Sequence, residues 1–452
     1  MKRFRKLFAL IMVLALLLSM SISVFAVSTV DELAAAIGEG NTDVLVEADI
    51  DGEGLIIDIS GKGVSINSEK DDAGNNKYTI GNIGFGADYE NPGSATINMD
   101  TGTIGAFGKA EVIVNGDVTG ADETLNEDGT VDEYARAAVN AYGESTVIVN
   151  GNVAGGSGNP DKEGLDAPTG YSDGANAIEA GDSATVMVNG NVSGGDAYGT
   201  YAYAGDGIIL DDQATVVVSG NVTGGSVHAD PGIAAENDLV SDGGCAIYME
   251  NSATVTVGGN VTGGSTNGDG GYGGVGISIR GTNEEVGSIA VGGSVTGGTA
   301  TAENGGSGAG IFVVGDLDST PSITVGSYDS ISGFYVGGDE TMDQDGFLEG
   351  LKASIVIITP QEEEPEIVGP NYDPHYGYLL QQIKKAKAGD EITTDVGARK
   401  TIPAAVIDAA RKAEVKLIIK WTGGDDLVIT KDFAEEVVGD VLLTELAEML
   451  KK

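Results

Sequence analysis

Residues 253–264 read ATVTVGGNVTGG, and the chain says nearly the same thing seven times. The copies begin at Ala110, Ser145, Ala184, Ala214, Ala253, Gly287 and, in weakened form, Pro321, at intervals of 35, 39, 30, 39, 34 and 34 residues. A motif returning at such a period is the mark of a repeat architecture, in which each copy is one unit of a stack. A second short alternating segment precedes the last six motifs: AVNA at Ala138, AIEA at Ala177, GIIL at Gly207, AIYM at Ala246, GISI at Gly276 and GIFV at Gly310. Period-two alternation marks strands with one buried face. In the copy at Ala253 the inward set is Ile247 and Met249, then Val255 and Val257, then Val261 beyond a Gly-Asn turn. Strands this short cannot fold alone, so they must stack turn upon turn and bury their inward Val, Ile and Met against their neighbours. The pattern predicts a parallel β-helix with three short strands per turn, about twenty constant residues in each and the rest insertion.

The chain opens with Lys2-Arg3-Phe4-Arg5-Lys6, an apolar run over 7–20 and small residues up to Ala26. This is the pattern of a secretory signal peptide cleaved after Ala26; the apolar run is too short to cross about 30 Å of hydrocarbon as a helix. Next, Thr29-Val-Asp-Glu32 forms a capping box. Val30, Leu33, Ala34 and Ile37 then share one helical face, and Gly38 closes it. A short amphipathic helix here would cap the exposed end of the stack. Strands are expected at 44–46, 55–59 and 64–66. This opening, with the segment TDVLVEADI…LIIDISGKGVSIN, resembles the start of pectate-lyase-like right-handed parallel β-helix proteins of bacterial surfaces. The resemblance covers about 27–359, and it alone implies the hand of the coil. The expected fold is an all-β, single-stranded right-handed solenoid with an N-terminal helical cap, followed by a small α/β domain.

The last rung is expected to fade through 354–358. An acidic, Pro-rich linker follows over 360–376, then a separate domain over 377–452 where lysine returns and glycine thins. There the spacing predicts a helix carrying Leu379, Leu380 and Ile383, and another over 402–413 with Thr401 as N-cap. A strand pair at 415–421 and 427–429 and a final helix carrying Leu442, Leu443, Leu446, Met449 and Leu450 complete it. The stretch KAKAGDEITTDVGARKTIPAAVI…VKLIIKWTGGDDLVI is similar to a module near the C-termini of secreted proteins of Gram-positive gut bacteria, a resemblance that brings no chemistry with it.

Charge is concentrated before that domain. Residues 27–374 hold 8 Lys/Arg against 56 Asp/Glu, a net charge of −48. Such a surface repels nucleic acid, anionic lipid and polyanionic polysaccharide unless cations mediate, and it also keeps a long Gly-rich rod soluble. Cys245 is the only cysteine, so no disulfide can form within the chain; in phase with Ile247, it reads as a small buried hydrophobe.

Four features bear on chemistry. Asp117, Asn152, Asn191, Asn221 and Asn260 recur before the third strand, where they suit a tight turn and, once stacked, a ladder; this explains the sequons at Asn191, Asn221 and Asn260 without glycosylation. Asp211-Asp212 sits at a strand end, as paired carboxylates do in β-helix polysaccharide hydrolases, yet variants of the same turn carry Ser, and His228 and His375 lie elsewhere. A lyase needs a placed cation, and the repeats offer only Arg136, Arg280, Lys109 and Lys162. The insertions combine acidic and amide side chains with tyrosines, and they leave each turn at one corner after the Gly-Gly. Dense oxygen ligands suit Ca²⁺, with Asp122, Glu123, Asp128 and Asp132 the first candidates and Asp238 and Asp242 the next; Tyr198, Tyr201 and Tyr203 are candidates to lie against sugar rings. The expectation is a secreted, cell-surface, non-enzymatic binding protein or adhesin for an extracellular glycan or surface protein, with no nucleic-acid partner and no cofactor beyond Ca²⁺. A polysaccharide lyase or hydrolase and a structural rod are the alternatives.

Overall fold

A computed structural model describes residues 25–451, apart from 72, 127–130, 159–170, 200, 230–240, 269–270, 281–286, 302–304, 316–321, 336–343, 358–375, 377–378, 381–382, 384–385, 397–399, 422–423, 425, 432 and 434–439. Most of the predicted signal peptide and linker therefore lie outside the described residues, as do Asp128, Lys162, Asp238 and His375. The chain divides into two units, 1–359 and 360–452.

The first unit consists of short strands paired in parallel with their counterparts one repeat away. Among the described residues its two principal sheets have 17 and 10 strands. In the first, Val112 pairs with Val147, Val147 with Val186, Val186 with Val216 and Val216 with Val255, so one column of valines runs through five repeats. In the second, Val139, Ile178, Ile208, Ile247, Ile277 and Ile311 form a like column from the segments that precede each motif. A third column, Val118, Val153, Val192, Val222 and Val261, comes from the strand after the Gly-Asn turn. All these side chains are buried in one continuous core. Burying a Val or Ile contributes about 1.5–3 kcal/mol, and a register slip of one residue would turn every member of a column outward. Repetition thus fixes the register. Three strands per turn, stacked in parallel, are compatible with a β-helix solenoid.

Both ends of this core are closed by helices. Helix α1 (Val30–Gly38) begins where the capping box predicts: Thr29 Oγ1 accepts from Glu32 N–H at 3.2 Å. The Glu32 carboxylate accepts from Ser28 N–H, one residue earlier than the usual return bond. Leu33, Ala36 and Ile37 enter the core. Strand Phe25–Val27 pairs with Asp43–Val46 and straddles the predicted cleavage point, with Val27 buried and Phe25 exposed. At the other end the sequence reading missed a helix. Helix α2 (Gln344–Ser354) inserts Leu351 into the core, and Val356–Ile357 then pairs with the strand at Thr324–Val325. The final rung is a helix-and-strand closure where a fading strand was expected, because a stack must cover its last apolar layer.

The second unit is α/β. Strand Lys416–Lys420 lies between Glu391–Asp395, parallel to it, and Leu427–Ile429, antiparallel to it. Helix α3 (Ala404–Lys412) buries Val406, Ile407 and Ala410, as its spacing requires. Its start is a correction. Thr401 is not an N-cap; Thr401–Pro403 is a strand paired with Asp440–Leu442, and the helix begins after Pro403, which makes no side-chain cap. Helix α4 (Leu443–Met449) buries Leu443 and Leu446.

Candidate functional site

The described parts of several segments read as insertions pair into a second, smaller stack beside the main coil. Tyr171–Asp173 pairs in parallel with Tyr201–Tyr203, and Ala197–Tyr198 with Val227–His228. Single bridges extend the pattern: Gly158 to Ala197, Val227 to Thr266, Thr266 to Ala300, Tyr203 to Asp242 and Tyr272 to Gly306. Ala197, Ala202, Val227 and Ala229 form a small apolar core of their own. We call this the side lobe.

A neck of glycine joins it to the coil. The leg leaving each motif and the leg returning from the lobe alternate in one hydrogen-bonded chain. Gly205 N–H donates to Gly195 O, Gly225 to Gly205, Gly244 to Gly225, Gly264 to Gly244, Gly274 to Gly264, Gly298 to Gly274 and Gly308 to Gly298. The legs lie too close for side chains. A Cβ on Gly264 would sit 1.7 Å from Gly225 O, and one on Gly298 1.8 Å from Gly264 O. The Gly-Gly that ends the five motifs from Ser145 to Gly287 is therefore a packing requirement.

Side-chain ladders hold the corners. The Asn turn column forms the predicted ladder. Asn152 N–H donates to Asp117 Oδ1 at 2.6 Å, Asn191 to Asn152 at 2.9 Å, Asn221 to Asn191 at 2.9 Å and Asn260 to Asn221 at 2.8 Å. A second ladder, not foreseen, links Asn98, Asn115, Asn150 and Asn189 through their side-chain amides. Asp211 and Asp212 hold a turn: Asp211 Oδ1 accepts from Asp212 N–H at 2.7 Å and Asn251 Nδ2 at 2.6 Å, and Asp212 has φ of 53°. Asp182 and Asn251, the corresponding residues of neighbouring turns, share that left-handed backbone.

The candidate binding residues separate into distinct places. On the return leg of the lobe, Tyr203 bridges to Asp242 on the next rung, and the rung after that carries Tyr272. Asp242 Oδ1 accepts from Tyr272 N–H at 3.1 Å, and burial raises its carboxyl above the usual range. Tyr203 and Tyr272 are 38% and 57% exposed. Their rungs lie two spacings of about 4.8 Å apart, so two open phenol rings flank a carboxylate along one ridge. On the outgoing leg Tyr198 stacks on His228, ring centroids 4.8 Å apart. His228 Nε2 lies 3.2 Å from Asp196 Oδ2, whose other oxygen accepts from Ser226 N–H. Tyr201 contributes its backbone to the return strand.

Among the described residues the proposed calcium ligands do not come together in one site. Asp122 Oδ1 accepts from Ser157 N–H at 2.7 Å. Glu123 is buried, with Oε2 facing Asp173 N–H at 3.4 Å. Asp132 is exposed on Val131–Glu133, a strand antiparallel to Thr124–Leu125. Asp242 belongs to the tyrosine ridge. Among the described residues, no group of three or more His, Cys, Asp or Glu side chains is arranged to hold a metal ion.

Sequence reading missed the roles of His228, Asp196 and Asp206. Counting from the Gly-Gly would have found the first two, since His228 is in register with Tyr198. Asp206 lies beside the neck, where its Oδ1 accepts from Cys245 N–H at 2.6 Å and its own N–H donates to Asn176 Oδ1. Burial lifts its carboxyl to about 6, partly offset by the bonds from Cys245. Burial, and then the Asp206 charge, push the Cys245 thiol up to about 12. Cys245 is less a pure hydrophobe than expected: it is half-buried and hydrogen-bonded to a carboxylate. A thiol so held is a poor nucleophile at neutral pH.

The chain matches no protein-family model, no curated protein and no solved structure. Among the described residues no helix is long and apolar enough to cross a membrane.

Proposed function

We propose that this is a secreted, surface-associated, non-enzymatic binding protein. Its scaffold is a right-handed parallel β-helix of pectate-lyase-like type, and its ligand is an extracellular glycan or glycan-bearing protein held by the side lobe. One observation carries the reading: Tyr203, Asp242 and Tyr272 form a column in which exposed rings alternate with a carboxylate. Phenol faces suit the apolar faces of sugar rings, and carboxylates accept from their hydroxyls. Tyr198 on His228 offers a second aromatic surface on the outgoing leg, and Tyr201 belongs to the same return strand as Tyr203. The net charge directs the choice toward uncharged glycans, since polyanions would be repelled.

A glycan panel tests this directly. Tyr203→Ala and Tyr272→Ala should each weaken retention about tenfold or more while leaving the melting temperature nearly unchanged; undiminished binding by both variants would end the reading. Calcium enters as an accessory ligand of the acidic insertions, with the exposed carboxylate of Asp132 its first described candidate. Millimolar Ca²⁺ should then raise the melting temperature beyond matched Mg²⁺ or NaCl. Identical curves would remove the metal and leave the glycan reading standing.

A further inference from the structure

One face of this acidic chain is built from strands that carry no charge. They are Thr146–Val149, Thr185–Val188, Thr215–Val218, Thr254–Val257, Ser288–Thr296 and Ser322–Tyr328, reading TVIV, TVMV, TVVV, TVTV, SIAVGGSVT and SITVGSY. None holds a charged residue, although the whole chain has a net charge of −45. Alternate valines point into the core, so the other positions line the outer surface. Thr146, Thr185, Thr215 and Thr254 stand in register in one outward column. Beside it runs a second column, Ile148, Met187 and Val217, also in register. These side chains are partly exposed. At the rung of Ala110–Val114 charge returns: Glu111 occupies the threonine column, and Lys109 pairs with Glu144 at 3.1 Å.

We propose that this face is a self-association surface and that its occupant is the same face of a second copy of the chain. Two arguments select that occupant. Copies with this much like charge repel one another over most approaches, and only a surface without charge lets two of them come into contact. A cationic partner would gain nothing here and would settle on the acidic turns. The second argument is extent. At about 3.3 Å along the strand and 4.8 Å across it per residue, these six strands outline roughly 500 Å², or about 1,000 Å² over two copies, the size of a weak, reversible interface. Both copies offer the same rung spacing, so threonine and aliphatic columns can interdigitate across a two-fold axis without a register mismatch. The proposal is independent of the glycan reading, since the lobe tyrosines lie outside these strands.

Sedimentation velocity of the full chain, from low to high micromolar concentration and at two salt levels, tests it. The expected result is a monomer–dimer equilibrium that tightens severalfold in higher salt, because screening removes the residual repulsion. Thr215→Glu and Val217→Glu should each raise the dissociation constant at least tenfold. A gain-of-contact arm covers the case in which these variants fold poorly. Thr215→Cys should form an intermolecular disulfide under mild oxidation, whereas Ser183→Cys, on a turn outside these strands, should not. A chain that stays monomeric at high concentration and salt overturns the proposal. So does a dimer indifferent to both glutamates, or equal crosslinking at the two cysteine positions. Binding of a polysaccharide by a strictly monomeric chain that Thr215→Glu abolishes would reassign the face and equally refute self-association.

Discussion

The main coil and the side lobe use the same repeat and reach order by opposite means. In the coil, columns of Val, Ile and Met fill a continuous core, and stability comes from apolar area removed from water. In the lobe the described core is four small residues, Ala197, Ala202, Val227 and Ala229, too few to hold strands together. What holds the lobe is main-chain contact: the glycine neck leaves no room for side chains, and hydrogen bonds run leg to leg through it. The coil therefore tolerates changes of shape that preserve volume, while the neck has no room for an added atom at its glycines from Gly195 to Gly308. This contrast also separates structure from surface. The coil presents uncharged outer columns, whereas the lobe presents tyrosines and carboxylates.

The sharpest way to break the comparison is to make one small change in each region. Gly264→Ala places a Cβ against Gly225 O, which main chain on both sides cannot yield to, and the expected cost exceeds about 4 kcal/mol. Val255→Ala removes two methyl groups from the core and should cost about 2 kcal/mol. Urea unfolding of the two variants compares them. Equal midpoints would mean that the neck is looser than its geometry implies.

The next effect is electrostatic and confined to the neck. The Asp206 carboxyl is raised from 3.8 to about 6 by burial. A folded-state value above the unfolded one means that ionisation opposes folding: the penalty is absent below about pH 4, grows between 4 and 6, and is complete above 6. At about 1.36 kcal/mol per unit it reaches about 3 kcal/mol at neutral pH. Asp206→Asn keeps an acceptor for Cys245 N–H and removes the charge. It should stabilise the protein at pH 7 by up to that amount and lose its advantage near pH 4. Thermal melts of both proteins across that range decide the point; a variant less stable at pH 7 would show that the charge itself is needed.

The smallest effect belongs to the coil's corner. Asn221→Ala removes the acceptor of Asn260 N–H and one of the two donors to Asn191 Oδ1, leaving the backbone N–H of residue 221. Because the ladder is open to water, the cost should be about 1 kcal/mol. Hydrogen exchange at Asn260 would report the lost bond directly, and unchanged protection there would deny the ladder a structural part.

Much of this was legible because the repeat is strict. Val255 and Val257 alternate with threonines, so their inward direction follows from period two alone, and Thr29 with Glu32 announces α1. The α2 closure was hidden, since the short segment around Leu351 has too little periodicity to stand out. Thr401 resembled a helix cap because local sequence does not reveal that Leu442 is its partner. In the candidate site, Tyr203, Asp242 and Tyr272 each stand four residues before an alternating segment, at Gly207, Ala246 and Gly276, so their shared column could be read from the repeat; their exposure could not.

The sequence by itself determined the parallel stacking, the inward columns, the Asn ladder and the N-terminal cap, because each depends on residues within one repeat and recurs in the next. Only the folded chain shows that the described parts of the insertions pack into a lobe, that Gly225 and Gly264 must lack side chains, and that Asp206 carries its charge in a desolvated position beside the neck. Those properties arise between legs of chain that meet only after the strands have stacked. Distance from a foreign carbonyl and loss of water are quantities that a string of residues does not contain.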